Sequence, residues 1–289
     1  MAGMNGILLM DKPAGWTSHD VVAKLRGILG ERRIGHSGTL DPMATGLLVV
    51  FVGRATKAVS FSEAHEKHYT AHLRLGVVTD TQDITGTVLE TYPVMVTQPE
   101  LEAALEGFRG EIQQLPPMYS AIKIGGKKLY DVARRGGEVE REARSIIIHQ
   151  LDCTGMAGED YILEVTCSKG TYIRTLCHDI GQTLGCGGTL TSLRRTRVGT
   201  YTVEEAHTME EMLSISREQA EGLLLPLDSL FSDHPAVTLN DQQERLCRNG
   251  VDYQINAEDG TYRFYANNGE FLMLGAVENR RSRAIKRFF

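Results

Sequence analysis

Residues 35–42 read Gly-His-Ser-Gly-Thr-Leu-Asp-Pro and offer two side chains able to act on a substrate, the Ser37 hydroxyl and the Asp41 carboxylate. A serine hydrolase elbow needs Gly-x-Ser-x-Gly, with small residues on both sides of a serine on a sharp strand-to-helix turn. Thr39 occupies the last position of that frame, so the serine motif misses by one residue. Asp41 before Pro42 reads equally as a plain turn and as a functional carboxylate. Elsewhere, His65 and His68 are three apart, whereas a zincin helix needs them four apart. They read as surface histidines, and no metal site is expected. Gly53–Lys57 and Ile124–Lys128 both depart from the phosphate-loop pattern, and no Gly-x-Gly-x-x-Gly follows a strand. No nucleotide cofactor is therefore expected.

The elements that must position these residues follow from periodicity. "GILLMDKP" reads as a short strand ending at Pro13. "TSHDVVAKLRGILG" reads as a helix capped by Thr17 or Ser18, with Val21, Val22, Leu25, Ile28 and Leu29 on one face and Gly30 at its end. "TGLLVVFVG" has the length and composition of a buried strand. "HYTAHLRLG" alternates, with Tyr69, Ala71, Leu73 and Leu75 on one side and Thr70, His72 and Arg74 on the other. "PELEAALEGF" reads as a helix presenting Leu101, Leu105 and Phe108. "YILEVTC" reads as another strand, and "GTYIRTLCHDIGQTLG" as a helix that closes at Gly185. The expected fold is α+β, a mixed and largely antiparallel central sheet flanked by helices. After Pro235 the pattern changes to short strands and turns. We expect a main domain over 1–234 and a small β module over 235–289, too small to stand alone and so packed on the first.

The chain has 289 residues, 42% of them hydrophobic and 24% charged, an ordinary globular composition. Its longest uninterrupted apolar run, Leu47–Val52, is far too short to cross a bilayer. The opening residues lack the basic start of a signal peptide. Five cysteines, odd in number and without a C-x-x-C pair, suit reduced thiols. A cytoplasmic protein with no membrane partner is expected. The net charge of −6 argues against nucleic acid globally, but the field that matters is local. Basic residues cluster in Lys123–Arg144, in Arg194, Arg195 and Arg197, and in Arg280–Arg287. Three clusters together predict a phosphate-binding surface. Lys123–Arg144 is rich in glycine and charge, and it is expected to be mobile until a phosphate-bearing partner binds it.

"GILLMDKPAGWTSHDVV", "GHSGTLDPMATGLLVV", "GRATK", "KHYTAHLRLGVVTDTQD", "PPMYSAIKIGGKKLYDVARRG" and "CSKGTYIRTLCHDIG" occur in this order. Together they resemble the tRNA pseudouridine-55 synthases, the TruB family, over about residues 5 to 200. Ser37 departs from the threonine usual there, a change that keeps the hydroxyl. The final β module is similar to the family's PUA domain in position and length. The resemblance implies isomerisation of uridine 55 in the T-loop of tRNA by a monomer without a cofactor. It makes Asp41 the catalytic carboxylate, Arg174 its cationic partner in a fork, and Tyr69 the residue that stacks on the base. His36 is implied to fill the space left by flipped nucleotides, where the residues alone suggest a loop histidine bonded to backbone. Asp83 is implied near Arg174, and Leu193 as an apolar pocket wall. Lys57, Lys123, Lys127 and Arg135 are implied as phosphate contacts. Ser37 then becomes a loop residue bonded to backbone. The rival reading is a tRNA-binding or tRNA-folding module without chemistry, on the same basic surface.

Overall fold

The strand β3 (Thr45–Val52) is apolar on both faces and is sandwiched accordingly. Leu48, Val50 and Val52 meet Leu8 and Met10 of β1 (Gly6–Lys12) and Val21, Val22, Leu25 and Leu29 of helix α1 (Ser18–Leu29). Leu47, Val49 and Phe51 point the other way, toward Tyr201, Leu230 and Phe231. This is the period-2 geometry of a strand covered on both sides. The computed structural model describes residues 4–120, 123–124, 127–133, 137 and 139–289.

The main sheet runs in the order His207–Thr208, β1, β3, Gly188–Val198, β4 (Lys67–Leu75), Asp160–Cys167, Arg144–Ala157, Gly110–Gln114. The strand β2 (Ile34–Ser37) adds to β3. Two pairings on this path are parallel, β1 with His207–Thr208 and β3 with Gly188–Val198, and the others are antiparallel. The fold is therefore α+β with a mixed, largely antiparallel sheet. On β4 the expected alternation holds, since Tyr69, Ala71, Leu73 and Leu75 are buried and the residues between them are half-buried. The buried face packs on Leu176, Cys177 and Ile180 of the helix Ile173–Thr183 and on Leu101 and Leu105 of Gln98–Glu106.

Helix α1 starts with a capping box, in which the Thr17 side chain accepts from the Asp20 N–H and Asp20 accepts from the Thr17 N–H. Thr17, not Ser18, is the cap. Ser18 is buried instead, where its hydroxyl accepts from Leu40 N–H (2.9 Å) and donates to Leu40 C=O (3.2 Å). β3 also approaches Gly188–Val198 closely at Gly46. A Cβ there would lie 2.3 Å from the Arg195 carbonyl oxygen, and φ is +101°.

Residues beyond Pro235 form a separate four-stranded sheet, in the order Ala236–Thr238, Gly260–Tyr265, Phe271–Glu278, Arg281–Arg287. It carries one helix that the strand-and-turn reading did not anticipate, Asp241–Arg248. Asn240 and Gln243 make its capping box, and Glu244 pairs with Arg248 one turn on (2.8 Å). The sheet packs on the rest of the chain through aromatic rings. Phe231 meets Phe61 edge-on at 5.3 Å and lies 5.8 Å from Phe288, which stacks on Phe271 at 5.3 Å. No helix among the described residues is long and apolar enough to cross a membrane.

Candidate active site

Asp41 sits in the loop between β2 and β3, and side chains from distant elements hold that loop at three points. Arg195 Nη2 donates to Gly38 C=O (2.9 Å), Ser18 brackets Leu40, and Lys12 Nζ donates to Pro42 C=O (3.4 Å). The Gly15 N–H also donates to Pro42 C=O (2.8 Å). Lys12 is wholly buried at the end of β1, and its ammonium also donates to the carbonyls of Trp16 (2.6 Å) and Pro13 (2.9 Å). Burial pulls the Lys12 pKa down to about 8, against the pull of the Asp41 charge.

Arg174 enters from the first turn of the helix Ile173–Thr183. Its Nε lies 2.8 Å from Asp41 Oδ2 and its Nη2 3.4 Å from Oδ1, a two-point fork. Its Nη1 donates to Thr81 C=O (3.0 Å) and lies 3.6 Å from Asp83 Oδ2, and Nη2 also donates to Tyr119 C=O (2.8 Å). Only 5% of the Arg174 side chain is exposed, so these bonds replace its water shell. Asp83 is itself fixed, with Oδ1 accepting from Thr85 N–H (3.0 Å) and from the Thr81 hydroxyl (3.0 Å). Gln114 holds the start of the Arg174 helix through both main-chain groups of Tyr172. It donates to the C=O (3.1 Å) and accepts from the N–H (2.8 Å).

The Asp41 carboxyl keeps 37% of its side-chain surface open. Its pKa is raised above the ordinary aspartate value. Enclosure by protein is the largest cause and Asp83 adds to it, while Arg174 and Lys12 oppose. Tyr69 is 7% exposed and packs with Leu40, Ala44 and Leu193 in one apolar cluster. Burial raises its phenol pKa, and the Arg195 guanidinium opposes that rise. Asp41, Tyr69, Arg174, Asp83 and Leu193 thus come together from five separate stretches of sequence. The arrangement holds a partly open carboxylate on a buried guanidinium, close to a buried tyrosine.

The other sequence candidates lie differently. His36 is on β2, and its Nδ1 is buried without a hydrogen bond, so the backbone partner suggested by its sequence is not made at that atom. Burial lowers its pKa. Lys57 donates to the Phe289 carbonyl (3.0 Å), tying the 3-10 turn Gly53–Ala58 after β3 to the residues that follow the strand Arg281–Arg287. Lys123 and Lys127 belong to a two-stranded ladder with Lys128 and Ile124. Arg135 lies outside the described residues, as does part of the segment expected to be mobile. Ser37 is 1% exposed and bonds the Ser62 hydroxyl (2.8 Å), not backbone. Its position at the buried end of β2 puts a side chain where the loop reading expected a main-chain partner. His65 and His68 are half-buried, and His68 Nδ1 bonds the Thr166 hydroxyl (3.1 Å).

The predicted phosphate cluster at Arg194, Arg195 and Arg197 is not a single surface. Arg194 is locked bidentately on Asp11 (2.7 and 3.1 Å), and Arg195 is 1% exposed. Adjacent residues of a strand face opposite sides, and that signal was present in the sequence. Sequence reasoning also passed over Lys12 and Gln114. Lys12 stands out afterward as a buried lysine at the end of a strand whose run Ile7–Met10 is apolar.

Comparison with known proteins fits this geometry. The N-terminal domain of the TruB family pseudouridylate synthases matches residues 26–173, and the tRNA pseudouridylate synthase B C-terminal domain matches 174–232. The chain is 44% identical to tRNA pseudouridine synthase B of Aromatoleum aromaticum over 98% of this chain and 92% of that protein. Against the protein of the same name from Clostridium kluyveri it is 38% identical, over 99% and 100%. Among solved structures, the Cbf5–Nop10–Gar1 complex superposes with a TM-score of 0.73 at 25% identity, over 99% of this chain and 85% of that one. An H/ACA RNP bound to a substrate RNA containing 2′-deoxyuridine gives 0.71 at 24% over 98% and 85%, a likeness of fold. The chain belongs to the TruB family of pseudouridylate synthases, and it is an isomerase.

Proposed function

We propose that the protein converts uridine 55 in the T-loop of tRNA to pseudouridine, with Asp41 at the centre of the reaction. The observation that carries the reading is the Asp41 carboxylate forked by Arg174 beside the buried Tyr69 ring. The N1–C1′ bond breaks, the base turns, and C5 bonds to C1′. The hydrogen leaves C5 and N1 gains one, so no oxidation state changes. Bond breaking builds positive character on the sugar, which a close carboxylate stabilises or traps. Arg174 keeps Asp41 ionised and aimed, since the fork accepts only the carboxylate form. Tyr69 stacks on the base once it is extruded from the T-loop, and Leu193 walls the pocket. His36 fills the vacated space in the T-loop. Lys57, Lys123, Lys127 and Arg135 position phosphates without reading sequence. For Lys57 this requires release of Phe289.

We further infer a catalytic unit over 1–234 and a PUA-like RNA-binding unit over 235–289, acting as a monomer in the cytoplasm. The exposed side chains of Arg280, Arg281, Arg283 and Lys286 support an RNA-facing edge on the smaller unit. The test uses an unmodified tRNA transcript tritiated at uridine C5. The native protein should release tritium and Asp41→Asn should not, while both bind the tRNA. A transcript with cytidine at position 55 should abolish release. Binding by both proteins with release by neither would leave a tRNA-binding protein without chemistry.

A further inference from the structure

Arg195 belongs to the strand Gly188–Val198, where it lies directly opposite Tyr69 of β4 and beside Gly46 of β3. Cross-strand partners project on the same face, so the guanidinium and the phenol are neighbours in the interior. Among the described residues, Arg195 heads the largest fully buried side chains. Its Nε donates to Leu47 C=O (2.7 Å) and its Nη2 to Gly38 C=O (2.9 Å). Its charge is also felt at Tyr69, His36, Lys12 and Lys67. Gly38 has φ +68°, and a Cβ there would stand 3.2 Å from Arg195 Nη1, so the loop is shaped closely around this side chain.

Among the described residues, no carboxylate forms an ion pair with Arg195, in contrast to Arg174 with its two acids. A buried guanidinium without a counter-ion is costly to desolvate, and an apolar side chain would fill this space without that burden. Its bonds are to the loop that carries Asp41 and to the strand that follows it, and its other neighbour is the tyrosine. Gly38 is three residues from Asp41 in sequence.

We propose that Arg195 is a positioning residue of the isomerase, fixing the Asp41 loop and the Tyr69 hydroxyl in one frame so that carboxylate and phenol keep a set separation across the target base. This rests on the isomerase reading above. The guanidinium is the cross-strand neighbour of the phenol, and its charge opposes the rise in the phenol pKa. Lysine can keep the charge but cannot hold the loop carbonyl and the strand carbonyl at once beside the phenol.

The test is single-turnover tritium release at saturating tRNA, with Arg195→Lys and Arg195→Met, each also combined with Tyr69→Phe. Both Arg195 variants should lose on the order of 100-fold in rate, as misplacement of a reacting group does. Their tRNA affinity should stay within about twofold, since a wholly buried side chain makes no RNA contact. In the Tyr69→Phe background the Arg195 loss should shrink, because part of what Arg195 positions is already gone. The alkaline limb of the rate profile should move to higher pH in Arg195→Met, because the charge that opposes the Tyr69 rise has been removed. Should Arg195→Met fail to fold, Arg195→Lys and Gly38→Ala, which presses on Nη1 from the loop side, carry the same cycle. Full additivity with Tyr69→Phe and an unmoved pH limb would overturn the proposal by marking Arg195 as a packing residue. Variants that turn over at the native rate would overturn it as well. Native protein that releases no tritium sinks the isomerase reading first and this one with it.

Discussion

Two groups of buried charge flank Asp41, and they are stabilised in opposite ways. On one side Arg174 is gripped by the carboxylates of Asp41 and Asp83. On the other, Lys12 and Arg195 are held by main-chain carbonyls of Pro13, Trp16, Pro42, Gly38 and Leu47. Carboxylates take up protons in the accessible pH range and carbonyls do not. Below about pH 7, where Lys12 keeps its proton, the first arrangement therefore responds to pH while the second fixes the shape of the loop. The same residue, Asp41, belongs to the responsive group by its side chain and to the rigid group by its backbone.

The largest effect that sharpens this contrast is expected from Arg174→Met. It strands two acids around a hole, and breaking a buried pair from one side costs about 3–5 kcal/mol. Stability measured by urea unfolding should show that loss at neutral pH and recover part of it in acid, where the stranded carboxyls take up protons. Lys12→Met should cost less, about 2–3 kcal/mol, from carbonyls left without a charged donor. Its deficit should stay flat between pH 5 and 7, because neither Lys12, titrating at about 8, nor its carbonyl partners titrate there. Equal pH dependence in the two variants would erase the distinction.

A smaller effect is expected from Asp83→Asn. Removing a like charge lowers the pKa of Asp41, so the acid limb of the tritium-release profile should move to lower pH. A limb that stays in place would mean that Asp83 serves only to hold Arg174. The smallest effect is a gain. The folded protein binds the Asp41 proton more tightly than the unfolded chain does, so ionising Asp41 works against folding once pH exceeds the folded pKa. Asp41→Asn should therefore melt slightly above the native protein at pH 7 to 8. That advantage should be absent below the ordinary aspartate value of 3.8, where both states are protonated.

Much of this was legible in sequence where the information is local. The alternation of β4 placed Tyr69 inward, and the cap and closing glycine bounded α1. Asp41 and Arg174 were legible as a pair only through family resemblance, since they are 133 positions apart and nothing in spacing joins them. Arg195 reaches carbonyls 148 and 157 positions away, and only strand register brings them together. A run of three arginines looked like one surface because composition ignores alternation. The helix Asp241–Arg248 carried its signal, Asn240 with Gln243, but turn-rich flanks hid it. Lys57 was implied as a phosphate contact, and its carbonyl partner, Phe289, 232 positions away, left no local signal.

Gly46 sets a limit on how this sequence can drift. With the Arg195 carbonyl 2.3 Å from where a Cβ would stand and φ at +101°, an alanine there faces both a collision and a disfavoured backbone. The obstacle is main chain, so no second substitution at position 195 relieves it. In a saturation library selected for folding, position 46 should stay glycine, while its half-buried neighbour Thr45 should accept more side chains. The Asp41 loop and the strand behind Tyr69 are thereby bound to one lineage of solutions by an atom the protein does not have.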